Sequence, residues 1–121
     1  MNVEKNLDTV WSELVKHRAG NKCEYCETSR NLNSHHIFSR AKKSTRWDLS
    51  NGICLCVGHH IGNNFSAHKT PLSFSLWLIS QRGEDWYNLL NFRSNQVSKL
   101  HKFEKDILLK ELQKELKNLK S

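Results

Sequence analysis

Two short stretches of this chain carry metal-binding chemistry at matching spacing. Cys23-Glu24-Tyr25-Cys26 is a knuckle that folds back and brings two sulfurs to one metal. Cys56-Val57-Gly58-His59 repeats the spacing with an imidazole in the last place. A structural zinc takes four tetrahedral thiolate or imidazole ligands, so Cys23, Cys26, Cys56 and His59 make a complete set. The chain then holds a surplus: the pair His35-His36, Asn51, and His60 directly after His59. Two adjacent histidines, an asparagine and a further histidine are the parts of a catalytic centre rather than of a plain zinc staple.

Two other uses of the cysteines compete. Disulfides are one, but paired cysteines in a reducing compartment hold metal more often than they cross-link. A four-thiolate site with Cys54 in place of His59 is the other, since Cys54 and Cys56 share one face of a strand. The repeated knuckle spacing favours His59, and Cys54 then reads as a small buried apolar residue.

His35 and His36 sit on a short expected strand, where neighbours point to opposite faces. They can therefore do different jobs beside one phosphate. His60 comes from the other half of the site, pinned by the adjoining zinc ligand. This arrangement lets His35 and His60 share a second metal while His36 faces an attacking water. Neutral imidazole is a competent base near physiological pH. His68 lies eight residues beyond His60; it reads as a third ligand, a phosphate contact or neither. His17 and His101 read as ordinary surface or core residues.

The elements that must position these groups are short. Leu7, Val10, Trp11, Leu14 and Val15 recur at helical spacing and predict a helix over 8–18, ended by Gly20. Residues 32–38 and 51–56 read as strands, the second with Ile53 and Leu55 on one face and Cys54 and Cys56 on the other. A short helix is expected from Gly58 to about Asn64, and a third opened by Pro71 and broken by Gly83. Residues 84–120 read as one long helix or two abutting ones. Leu109, Leu112, Leu116 and Leu119 form a heptad-like stripe too short for a coiled coil, so this helix is expected to pack on the first. Trp11, Trp47, Phe74, Trp77, Trp86 and Tyr87 are assigned to the core.

At 121 residues and 37% hydrophobic the chain suits one domain with a modest core, to which a metal staple would add. The net charge of +7 suits a polyanionic partner, and nucleic acid is the commonest. Arg40, Lys42, Lys43 and Arg46 lie on the loop between the strands and are candidates for phosphate contacts. The N-terminal MNVEKNLDTVW has no long apolar run, and no stretch of about 18 apolar residues follows. Neither secretion nor membrane spanning is expected, and the cytoplasm is the expected compartment.

With these residues in view, LNSHHIFSR, RWDLSNGICLCVGHH and FSAH resemble the HNH endonucleases, in particular the small stand-alone kind of phages and mobile elements. The likeness covers roughly residues 20–70 and continues more loosely through PLSFSLWLISQRGEDWY. Residues 95–121 carry no matching motif. The resemblance implies an α+β fold: a ββα-metal (His-Me finger) core over about 20–70, stapled by structural zinc, with an N-terminal helix and a helical extension over about 72–121, all one domain. It implies His35 and His60 as ligands of a catalytic metal, His68 as a further downstream histidine, His36 as general base, and Asn51 as the residue that steadies the base through the turn joining the strands. Many members carry two Cys-x-x-Cys knuckles; this chain departs by placing His59 fourth.

The resemblance also implies hydrolysis of DNA phosphodiesters to a 3′-hydroxyl and a 5′-phosphate, in a bacterial or phage-infected cell. Magnesium or manganese is the family's usual ion, although imidazole ligands suit nickel or zinc better. The alternative reading is a non-catalytic zinc-stapled DNA-binding module, in which His36 would be idle. The C-terminal helix is a further candidate surface for a protein partner or a homodimer.

Overall fold

The computed structural model describes residues 2–98 and 100–120. Helix α1 runs from Val3 to Arg18, followed by strands β1 (Leu32–His36) and β2 (Gly52–Cys56), then helices α2 (Pro71–Arg82), α3 (Glu84–Ser94) and α4 (Lys102–Lys120). A 3-10 turn, Leu49–Asn51, leads into β2, and a π-helical turn, Gly58–Gly62, follows it. The architecture is mixed: helices around one two-stranded antiparallel sheet.

Helix α1 begins earlier than its apolar periodicity predicts, because Asn2 caps it. The Asn2 side-chain oxygen accepts from the backbone N–H of Glu4 at 2.9 Å, filling one of the donors that a helix start leaves open. Leu7, Trp11, Leu14 and Val15 form its buried face. Each large apolar side chain fully buried contributes about 1.5–3 kcal/mol. Leu112 and Leu116 of α4 complete this cluster, with Leu108 and Leu109 packed against it. The stripe thus packs on α1, as its spacing predicts, while Leu119 is half exposed.

The sheet divides the core. In the antiparallel register Ser34 faces Cys54 and His36 faces Gly52, while His35 faces Ile53. The first set lies on the α1 side: the Ser34 hydroxyl donates to the Ser12 carbonyl at 2.7 Å, and Cys54 joins the α1 cluster. The second set lies on the α2 side, where Ile53 and Leu55 pack with Phe74 and Leu78. Gly52 is required here, because a Cβ would collide with the Val15 and Trp11 side chains.

Several boundaries differ from the sequence reading. Strand β1 stops at His36 rather than Phe38, because the Asn51 side chain takes over the Phe38 backbone. Asn51 Oδ1 accepts from the Phe38 N–H at 2.7 Å, and its Nδ2 donates to the Phe38 and Thr45 carbonyls at 3.1 Å each. Asn51 itself ends the 3-10 turn instead of opening β2. The short helix after β2 is only a π-helical turn, closed by the Asn63 N–H on the Gly58 carbonyl. Gly83, at a φ of 96°, separates α2 from α3, a conformation that glycine adopts without strain. Of the one long helix or two abutting ones expected for the C-terminal stretch, the structure has two, separated rather than abutting, and Lys99 between them lies outside the described residues. Among the described residues no helix is long and apolar enough to cross a membrane.

Candidate metal centres and the groove between them

Cys23, Cys26, Cys56 and His59 lie close enough to hold a metal ion such as zinc, their ligand atoms all within 4.8 Å of one another. The spacing can be tested against coordination chemistry. Tetrahedral zinc with Zn–S bonds of about 2.3 Å separates two sulfurs by roughly 3.8 Å, and a sulfur and an imidazole nitrogen by roughly 3.6 Å. The Cys26 and Cys56 sulfurs are 3.8 Å apart. His59 Nδ1 lies 4.0 Å from the Cys23 sulfur and 3.2 Å from that of Cys56. The donor set fits the ion.

Local structure favours this set over one containing Cys54. Cys54 is fully buried on the α1 side, and burial, then Glu24, push its thiol up to about 11. Glu24 ties the first knuckle to β2 and α2: one carboxylate oxygen accepts from the Cys54 N–H at 2.7 Å, the other from Arg82 at 3.0 Å. Tyr25 lies over His59, with ring centroids 4.5 Å apart, and also contacts Phe65 and Trp77.

A second cluster brings His35, His60 and His68 together, again with ligand atoms within 4.8 Å. The Nε2 atoms of His60 and His68 are 3.1 Å apart. Two imidazole nitrogens on one ion at about 2.1 Å stand roughly 3.0–3.4 Å apart, so this spacing also fits. His60 Nδ1 is buried with no hydrogen-bond partner among the described residues. Burial, then His60, His68 and His36, push His35 down to about 4. Burial and His68 likewise lower His60. Neutral imidazoles keep the lone pairs that a metal needs.

His36 points to the other face. Its ring stacks on Trp11, centroids 3.9 Å apart and planes within 9°, a contact that the missing side chain of Gly52 permits. Its Nε2 is 2.9 Å from the Arg46 carbonyl. A carbonyl only accepts, so Nε2 carries the proton and Nδ1 holds the lone pair of the neutral ring. Burial holds His36 below its usual range despite that carbonyl, which pulls the other way. Asn51 reaches His36 indirectly: its amide holds the Thr45 carbonyl, next to the Arg46 whose carbonyl orients the ring.

His35, His36, His60, His68 and Arg40 line one open groove of about 500 Å³. The other basic residues of the loop are engaged elsewhere. Arg46 is the least exposed and holds Asp8 at 2.7 Å and Glu4 at 3.7 Å. Lys43 pairs with Glu4 at 2.9 Å, and Lys42 donates to Asn95 at 3.2 Å. Arg40 reaches Asp8 at 3.0 Å yet remains largely exposed. Of the loop's candidate phosphate contacts, Arg40, Lys43 and Arg46 are thus tied to the acids of α1. Three contributors to the site go beyond the sequence reading. Trp11 reads there as core, and no spacing pairs it with His36. Glu24 and Tyr25 lie inside the first knuckle, where their position was the available signal.

In comparisons with family models, curated proteins and solved structures, no match to the chain was found.

Proposed function

We propose that this protein is a metal-dependent endonuclease of the HNH type that hydrolyses DNA phosphodiester bonds. In this reading the two strands and the π-helical turn form a compact ββα-metal core. The observation that carries it is the setting of His36. Its proton is committed to the Arg46 carbonyl through Nε2, its ring is clamped on Trp11, and it lines the same groove as three converging imidazoles.

That setting suits a general base. His36 Nδ1 takes a proton from water as the water oxygen attacks phosphorus; the bond to the 3′ sugar oxygen breaks, that oxygen takes a proton from solvent water to leave as the 3′-hydroxyl, and the imidazolium returns its proton to solvent. Positioned general bases contribute typically 10²–10⁴ in rate. Asn51 holds the Thr45 carbonyl and so the turn that carries the adjoining Arg46 carbonyl to the ring. Arg40, on the rim, supplies a cation for a backbone phosphate, with Lys42 and Lys43 as more distant contacts and Arg46 as the brace of the loop. His35, His60 and His68 would hold a divalent ion, magnesium or manganese with phosphate oxygens completing the shell. Such an ion supplies Lewis-acid stabilisation of charge building on the phosphate.

Incubating the zinc-loaded protein with supercoiled plasmid, with and without added magnesium, manganese or nickel, tests the reading. Nicked or linear product that depends on the added ion supports it and tells one-strand from two-strand cleavage. Intact plasmid under every ion, with the plasmid retarded on a gel, would overturn hydrolysis in favour of a zinc-stapled DNA-binding module.

A further inference from the structure

Behind His35 lies a second, smaller hollow of about 200 Å³. It shares His35 and Ile37 with the open groove, so the two meet along β1. Its walls are aromatic and aliphatic: Phe74, Trp86, Tyr87, Leu78 and Ile79, with Ser75 as a polar group. No lysine, arginine, aspartate or glutamate lines it. We propose that this hollow is a nucleobase subsite, taking one unstacked base of the strand whose phosphate lies in the groove, so that single-stranded or locally unpaired DNA is the preferred substrate. The inference rests on the nuclease reading for the occupant of the groove.

Size and chemistry select the occupant. Sites for drug-sized ligands run to about 300–1,000 Å³, so this hollow suits a single ring system. A phosphate would find no cation in it, and a metal ion no carboxylate. A planar heterocycle would find aromatic faces, and base–aromatic stacking is indifferent to sequence because every base has a π face. The walls are held open from outside. The Trp86 indole N–H donates to the Ser50 carbonyl at 3.0 Å, and the Arg82 guanidinium lies 5.1 Å from the Trp86 ring. Arg82 is itself fixed by the Ser50 and Gly52 carbonyls. Phe74 meets His35 edge to face, 6.1 Å between centroids at 85°, so the imidazole forms the partition between hollow and groove. A base in a duplex must be unpaired and unstacked before it can enter, and a single strand avoids that cost.

The test measures binding, not cleavage. Fluorescence anisotropy with the full zinc-loaded chain, without added catalytic metal, gives Kd for an end-labelled short single strand, for its duplex, and for the same strand made wholly abasic. The single strand should bind between roughly fivefold and a hundredfold more tightly than the abasic strand, the range expected for one stacked base. It should also bind more tightly than the duplex. Ser75 is exposed on α2, so Ser75→Leu adds bulk to the hollow without disturbing the core; Tyr87→Leu removes one aromatic wall. Each should bring the single strand down to the abasic value while retaining zinc and helical content. Equal affinity of the wild type for normal and abasic strands would overturn the subsite. So would a folded Ser75→Leu variant that still binds the normal strand as the wild type does. Plasmid cleavage measured alongside separates the two ideas. Base-dependent binding without cleavage leaves the subsite standing and removes the nuclease, whereas cleavage with base-independent binding removes the subsite alone.

Discussion

The thiolate-rich cluster and the three-histidine cluster adjoin in sequence at His59 and His60, yet they are built on opposite plans. The first has four donors from two knuckles, two of its cysteines buried, a tyrosine over its imidazole and a carboxylate brace behind it. The second has three imidazoles, one of them exposed, facing a groove. A filled, soft, four-donor set suits an ion that stays; a three-donor set with room for oxygen ligands suits one that works. The π-helical turn lets one short segment serve both, its consecutive histidines turned to different clusters.

The largest effect should come from breaking the first plan. Cys56→Ser is expected to lose the zinc and with it the cooperative fold, because structural zinc binding is coupled to folding. Cys54→Ser should keep the zinc, with at most a modest loss of stability from the altered α1 cluster. Elemental analysis and thermal melts check both. Zinc retained in Cys56→Ser and lost in Cys54→Ser would reverse the ligand set. His60→Ala, in the second plan, should remain folded and zinc-loaded.

His36→Ala should leave fold, zinc and DNA binding near wild type while lowering the plasmid cleavage rate by about 10²–10⁴. Near wild-type cleavage at neutral pH would remove His36 from the chemistry. Trp11→Leu sharpens the point: a lower cleavage rate with zinc retained would show that the stacking clamp, and not only the imidazole, sets activity.

The two clusters also differ in how legible they were. Ligands three residues apart can be read directly, since a knuckle is local geometry. The His35-His36 pair could be split between two faces because strand alternation is equally local. What holds those side chains in place could not be read. Trp11 reaches His36 across 25 positions of sequence, and Lys105 reaches Glu4 at 2.7 Å across 101. The basic loop looked free because its acidic partners, Glu4 and Asp8, lie on another helix. Asn51 could be named from the resemblance, but its hold on the Phe38 and Thr45 backbone depends on where the loop returns. The α3–α4 break has no glycine or proline to announce it.

A smaller effect separates ligands within the second cluster. In a closed four-donor site each donor is needed, whereas in an open one the most exposed should matter least. His68 is the exposed member and His60 the one with a buried nitrogen. Titrating manganese or nickel into the zinc-loaded protein should show His60→Ala abolishing the second site. His68→Ala should weaken it by roughly tenfold, about 1.4 kcal/mol. Equal losses would mean that this site is as closed as the first.

The smallest effect concerns a brace that uses no metal. Glu4 receives Lys105 at 2.7 Å and Lys43 at 2.9 Å, joining α1, α4 and the loop that orients His36. Hydrogen bonds from Lys105 and then Lys43 hold its carboxyl down to about 2, against an ordinary 4.5. A carboxyl lowered on folding stabilises the folded chain above its unfolded pKa, and that contribution fades as pH falls toward the folded one. The window is therefore from about pH 4.5 down to about 2. Glu4 is partly exposed, so the contribution is small and screened by salt. Urea melts at pH 6 should show Glu4→Gln slightly less stable than wild type. The gap should narrow as pH falls below 4.5, because protonation makes the wild type resemble the variant. Zinc release in acid weakens both proteins alike and leaves this difference readable until unfolding. A gap that persists unchanged below pH 4.5, or no gap at pH 6, would mean that the brace adds nothing to holding the His36 loop on its helix.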